Sequence, residues 1–374
     1  MKAAIVGCGM IANFAHIPAY RHLDGMFEVA GVCDININAA ELTAKKHGIA
    51  FYTDDFEAML EKIKPDIVSV CVPNMFHKQY IKSALEFGAH VICEKPLAVS
   101  YSDAAECFAL AKRKGLMLCA AQSMRYTPDR LAAKSLIDAG ALGDIYYGEF
   151  SRIRRRGIPK WGAFHIRRLS GGGAFVDIGV HMLDALVWLM GNPKAVSVSG
   201  STSTRLAYKN ETLVSDIRES GALGGEPLSV RAYDQKEFDV DEFASGSIVF
   251  EGGRRINFKT AWAANLPDET SIILCGDKSG LRLPELDIYG AFAAYQADIR
   301  PKLPEGGVYP NEKFGGHFML FDLIADFLNG KGELPVKPEE TLNVSKLIEL
   351  FYRSAAEHRE IYADETSEAT APKN

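Results

Sequence analysis

The apolar stretch Ala3–Val6 runs without a break into Gly7-Cys8-Gly9-Met10-Ile11-Ala12. A short strand that turns on glycine into a helix leaves few choices of fold. Gly7 permits the tight turn, Gly9 lets a ligand approach the backbone, and Ala12 allows strand and helix to pack closely. The free N–H groups at the helix start, around Met10 and Ile11, suit the phosphates of a dinucleotide. The same rhythm continues to Gln122. The apolar runs EVAGVCD, DIVSVCVP, HVICEKP and LMLCAA alternate with helical stretches predicted near 36–47, 77–87 and 101–114. Strands that are apolar throughout, separated by helices, predict a parallel sheet covered on both faces. This is the doubly wound Rossmann arrangement of an α/β protein. Asp34 ends the second strand, about 20 residues beyond the glycines, where an acid bonds ribose hydroxyls and repels a 2′-phosphate. Ile35 follows it in place of a cation, which favours NAD over NADP. A helix N-cap is the plainer role for Asp34.

The pattern changes after Gln122. In RINFKTAW, Ile256, Phe258, Thr260 and Trp262 fall on one face, and Arg255, Asn257 and Lys259 on the other. Period two predicts a sheet with one covered and one polar face. Helices near 177–190, 314–328 and 341–360 are available to cover the apolar side. The 374 residues exceed one compact core, so the predicted boundaries are 1–123 for the dinucleotide domain and 124–374 for a second α/β domain. The segment Arg205–Gln235 carries no clear signal. The net charge of -6 gives no general attraction for nucleic acid or anionic membrane. The seven cysteines include no C-x-x-C pair and read as reduced thiols of a cytoplasmic protein. No metal site is expected from them. The chain enters a strand at once, so no signal peptide or membrane span is expected.

Four motifs stand in order: GCGMIA, VPNMFH (Val72 to His77), EKPL (Glu94 to Leu97) and GGGAFVDIGVHMLDALVWLMG (Gly171 to Gly191). Together they closely resemble the Gfo/Idh/MocA oxidoreductases, which include glucose–fructose oxidoreductase and inositol dehydrogenases. The resemblance covers nearly the whole chain. It implies a Rossmann domain followed by an α/β domain with an open, mostly antiparallel sheet, and a nicotinamide cofactor at the strand ends. It implies that Lys95, Asp177 and His181 are catalytic. It also implies that Pro73, Asn74, His77, Glu94 and Gln122 line the cofactor. The substrate is then a small sugar, glycoside or polyol such as inositol.

Oxidising an alcohol needs a hydride acceptor, which NAD supplies, and a base for the hydroxyl proton. His181 can be that base, because imidazole titrates near neutrality. Asp177 lies four residues earlier, so on a regular helix it shares a face with His181 and would orient the ring. Lys95 follows a strand at the ligand-binding edge and can hold the reacting oxygen. Trp161, His165 and Arg167 are candidate substrate contacts, since an indole packs on a sugar ring while His and Arg bond hydroxyls. Interdomain packing is their plain alternative. His16, Arg125 and Tyr126 are weaker candidates. Arg152, Arg154 and Arg156 would share a strand face; either an anion pocket or a solvated or subunit-contacting face accounts for them, and the latter is favoured for most of them. The same catalytic set would serve a glycoside-cleaving enzyme that recycles NAD, and a non-catalytic sensor would have no use for it. An open sheet with an uncovered outer face predicts a homodimer or homotetramer.

Overall fold

The computed structural model describes residues 1–208, 231–303 and 314–365. Most of Arg205–Gln235, and the chain beyond 365, lie outside the described residues.

The first sheet has six strands: β1 (Lys2–Val6), β2 (Glu28–Cys33), β3 (Phe51–Thr53), β4 (Ile67–Val70), β5 (His90–Cys93) and β6 (Leu118–Ala120). Their order is β3-β2-β1-β4-β5-β6, and every pairing is parallel. Helices α1 (Ile17–His22), α2 (Ile37–His47), α3 (Phe56–Ile63), α4 (His77–Phe87) and α5 (Tyr101–Lys114) connect them. A π-helical turn, Ala12–His16, leads into α1. Side-chain caps fix the helix starts: Asn36, Asp55 and Ser100 accept from the backbone N–H of Asn38, Ala58 and Asp103. The chain leaves β1 in one direction to β2 and later returns to its other side as β4. This reversal opens a crevice at the strand C-termini. The sequence pattern missed α3 and also β3, whose three residues are too few to show a period.

Helix α6 (Pro128–Asp138) leads to the second sheet, whose strands are β7 (Ile145–Ile153), β8 (Ala195–Ser203), β9 (Phe243–Phe250), β10 (Arg255–Ala261), β11 (Glu269–Gly276), β12 (Gly280–Leu283), β13 (Asp287–Phe292), β14 (Tyr295–Ile299) and β15 (Ile361–Tyr362). The order is β14-β13-β12-β11-β7-β10-β9-β8-β15. Only β7 and β10 pair in parallel; the other pairs are antiparallel. The predicted alternation holds on β10: Ile256, Phe258 and Thr260 are buried, while Arg255 is exposed. The covered face packs on α8 (Val180–Leu189) and α10 (Pro338–Glu357), with Phe150, Phe258 and Phe175 stacked and Phe351 tilted against them. Residues 167–189, which include the short α7 (Arg167–Ser170), are apolar enough to span a membrane by composition, but 83% of that window is buried in this core.

Helix α9 (Gly315–Leu328) lies beyond the boundary drawn at residue 123, yet it packs on the first sheet's side of the molecule. Phe318, Leu320, Phe321 and Ile324 join the core of the first sheet, not that of the second. The Phe321 ring packs edge-on against Tyr20 and His16, at 4.8 and 5.2 Å between centroids. An apolar helix of the second half thus completes the first domain, which no local periodicity reveals.

Candidate active site

A cleft of 1660 Å³ runs from the crevice of the first sheet to the C-terminal end of β7 in the second. Gly7, at φ +91°, forms its turn, and a Cβ there would collide with the Cys71 carbonyl, so only glycine fits. At Gly9 nothing lies within 4 Å of where a Cβ would stand. That open backbone, beside the first N–H groups of the helix, fits a pyrophosphate. Asp34 lines the cleft; its Oδ2 accepts from Cys8 N at 2.8 Å and its Oδ1 from Asn36 N at 2.8 Å. It therefore braces the glycine turn while still lining the cleft. Met10, Ile11, Pro73, Asn74, Glu94 and Lys95 line the same wall. Asn74 also donates to Ser170 O at 2.8 Å, tying the two halves together.

Three residues expected to line the cofactor lie behind that wall. Ala12 is fully buried, as its packing role requires. His77 is also fully buried; its Nδ1 faces Pro96 O and its Nε2 faces Val72 O, both at 2.9 Å. It clamps the loop after β4 to the loop after β5, in which the Lys95–Pro96 bond is cis. Gln122 is 1% exposed, so Ser123 and Met124, not Gln122, reach the cleft.

Glu94 is the buried end of a relay of donors. Tyr20 reaches Ser69 Oγ at 2.9 Å, Ser69 reaches His16 Nδ1 at 3.0 Å, and His16 Nε2 reaches Glu94 Oε1 at 3.0 Å. His317 Nε2 approaches the same oxygen at 3.3 Å. Burial alone would push the Glu94 carboxyl up; the bonds from His16 and His317 reverse this and hold it well below the usual range. His317 carried no signal in the sequence, because its partners are more than 200 residues away.

Lys95, Asp177 and His181 all line the cleft. The Lys95 ammonium donates to Asp177 O at 2.8 Å and to Asp177 Oδ1 at 3.4 Å. Trp262, fully buried, donates its indole N–H to Asp177 Oδ2 at 2.9 Å. The predicted Asp177–His181 hydrogen bond is absent among the described residues. A π-helical turn spans Phe175–Gly179, so residues 177 and 181 are not stacked as on a regular α-helix. The carboxylate turns instead to Lys95 and Trp262. His181 Nδ1 is buried without a partner, which leaves Nε2 as the ring nitrogen able to meet a substrate. Burial, and then the Lys95 charge, hold the His181 pKa well below 6.5. The ring is neutral and able to take a proton.

Of the candidate substrate contacts, Trp161 and Tyr126 line the cleft. His165 and Arg167 do not. His165 is fully buried against Tyr233 and Phe238, and Arg167 is turned outward onto Asp239. Arg125 is structural, held bidentately by Asp184 and by Glu340. Arg152 and Arg154, for which the sequence favoured a solvated or subunit-contacting face over an anion pocket, line the cleft beside Asp177. They sit where strand β7 runs out from beneath its covering helix, a position that depends on the tertiary fold.

The family described as the oxidoreductase family with an NAD-binding Rossmann fold matches residues 1–122. The GFO/IDH/MocA C-terminal domain matches residues 131–282. The chain is 33% identical to D-glucoside 3-dehydrogenase of Escherichia coli (strain K12), over 95% of each. It is 28% identical to a putative UDP-kanosamine synthase oxidoreductase subunit of Amycolatopsis mediterranei, over 96% of this chain and 97% of the relative. Among solved structures, levoglucosan dehydrogenase in complex with NADH and levoglucosan superposes with a TM-score of 0.79. That likeness is at 18% identity and covers 98% of this chain and all of that one.

Proposed function

The chain belongs to the GFO/IDH/MocA family of NAD-binding oxidoreductases, and from that premise we propose that it moves a hydride between NAD and a ring carbon bearing a hydroxyl in a sugar or glycoside. The observation that carries this reading is the meeting of Lys95, from the first sheet, with Asp177 and His181, from the second domain, in one cleft. The similarity to a D-glucoside 3-dehydrogenase supports a glycoside substrate.

The glycine turn and Asp34 would hold NAD, which supplies the hydride acceptor. The substrate hydroxyl lies between Lys95 Nζ and His181 Nε2. Lys95 donates a hydrogen bond to the oxygen and stabilises negative charge as its proton leaves. His181, held neutral by burial and by Lys95, accepts that proton. Asp177 and Trp262 fix the ammonium in place. Trp161 offers an apolar wall for the sugar ring.

The test is NADH formation with a panel of glucosides, aldoses and cyclitols. His181→Ala should lower turnover by about 100- to 10,000-fold, the scale of a lost general base, with NAD binding retained. Near-normal turnover in that variant would overturn the assignment.

A further inference from the structure

The helix-covered face of β7 changes character along its length. Gly148 lies under Leu186 and Met190, and Phe150 stacks on Phe258 at 5.1 Å. The next two residues on that face, Arg152 and Arg154, emerge past the start of α8 onto the floor of the cleft. Arg130 lies behind them, 5% exposed. None of the three has a carboxylate partner among the described residues. Arg152 donates to Thr270 Oγ1, and Arg154 reaches Gly157 O at 3.4 Å. Arg154 Nε and Arg130 Nε are buried with no partner at all. Arg125 shows how this fold treats a structural buried arginine: it meets two carboxylates, Asp184 and Glu340.

Arg152 and Arg154 are half-buried, and a charge partly withdrawn from water without an ion-pair partner is costly, a cost that neutral oxygens return only in part. Burial, then the charges of Arg154 and Arg130, pull the Arg152 guanidinium down to about 10. Asp177 attracts both guanidinium groups but already pairs with Lys95, and Asp268 attracts Arg154 without forming an ion pair with it. The cleft beside Asp177 therefore carries two guanidinium groups without an ion-pair partner, Arg152 on β7 and Arg154 just past its end. A guanidinium fork suits carboxylate and phosphate geometry. The cofactor pyrophosphate is not the counter-ion, because its cradle is the glycine turn of the first sheet, whereas the Arg152 charge is felt at His181.

We propose that Arg152 and Arg154 bind an acidic group of the substrate, so that the sugar oxidised here carries a carboxylate or phosphate away from the reacting carbon. This rests on the sugar-oxidoreductase reading above and narrows its substrate class.

The test compares kcat/KM for methyl glucoside, methyl glucuronide and a methyl glucoside 6-phosphate, all with saturating NAD. An acidic probe should be preferred by about ten- to a hundred-fold, the scale of a hydrogen bond to a charged group. The two acidic probes separate carboxylate from phosphate. In Arg152→Gln and Arg154→Gln the preference should collapse, and Arg154→Lys should restore part of it. Equal or better turnover of the neutral glucoside overturns this proposal and leaves the oxidoreductase reading intact. If no probe is oxidised, calorimetric titration of the acidic probes into NAD-loaded protein decides. Binding weakened by the glutamine variants upholds the proposal, and absent binding overturns it. A loss of NAD affinity equal to the loss of probe affinity would assign the arginines to the pyrophosphate and overturn it too.

Discussion

Trp262→Phe tests how Lys95, the lysine proposed to hold the reacting oxygen, is itself held. The indole N–H reaches Asp177 Oδ2 at 2.9 Å inside the core, and the same carboxylate meets Lys95 at 3.4 Å. Phenylalanine preserves an aromatic ring against Phe238 but removes the donor. A hydrogen bond to a charged group contributes about 1.5–3 kcal/mol, and leaving the acceptor unsatisfied forfeits that amount. If the whole loss fell on thermal stability, the melting temperature would drop by about 3–12 °C for a domain of this size. The part expressed at the transition state lowers kcat, with a ceiling of roughly 10- to 150-fold for the same energy. NAD affinity should change little, because the glycine turn is remote from Trp262. Calorimetric melting, NADH absorbance and NAD titration measure the three quantities. The sharper test is the cycle with Asp177→Asn. Since Trp262 acts on Lys95 only through Asp177, the double variant should lose little more in kcat than Asp177→Asn alone. Fully additive losses, or a Trp262→Phe enzyme with wild-type kcat and melting temperature, would refute this chain of contacts.

The acid limb of kcat/KM for oxidation should lie well below pH 6.5, because the folded state lowers the His181 pKa and the base stays unprotonated through that pH. Lys95→Met removes the second cause of that shift, so the limb should move toward neutrality; a wild-type inflection at pH 6.5 would contradict the assignment. Gly7→Ala should lose soluble protein, since a methyl there meets the Cys71 carbonyl at φ +91°, whereas Gly9→Ala should fold and lose NAD affinity, as thermal melts and NAD titrations would show. Asp34→Ser with Ile35→Arg should shift preference toward NADP, because the acid that repels a 2′-phosphate is gone and Ile35, 85% exposed, has room for a guanidinium; an unchanged NAD-to-NADP ratio in kcat/KM would count against Asp34 as the ribose contact.

The first domain was largely legible in the sequence because each of its signals is local. The Ala3–Val6 strand, the glycine turn and the capped helices declare themselves within a few residues. Helices 77–87 and 101–114 fall where periodicity placed them. What the sequence hid depends on contacts across the chain. The partnership of Trp262 with Asp177 spans 85 positions, and that of His317 with Glu94 spans 223. Spacing alone also misled at Asp177 and His181, since four residues share a face only on a regular α-helix and a π-helical turn intervenes. Trp161, His165 and Arg167 looked alike in sequence, but the backbone turns Trp161 into the cleft, buries His165 and sends Arg167 outward.

The seating of helix α9 on the first core bears on how the chain is made. Synthesis is vectorial, and domains generally fold as they emerge. Here the six strands of the first sheet leave the ribosome long before Phe318, Phe321 and Ile324, the residues that cover Tyr20 and His16. At about 5–20 residues per second the gap lasts on the order of ten to forty seconds. During it the π-helical turn and α1 of the nascent first domain display an aromatic and apolar face with no cover, the kind of surface that chaperones hold or that aggregates. A fragment ending near residue 123 would remain in that condition permanently. Supplying residues 314–328 through a short linker would give the ribosome-released fragment its missing lid.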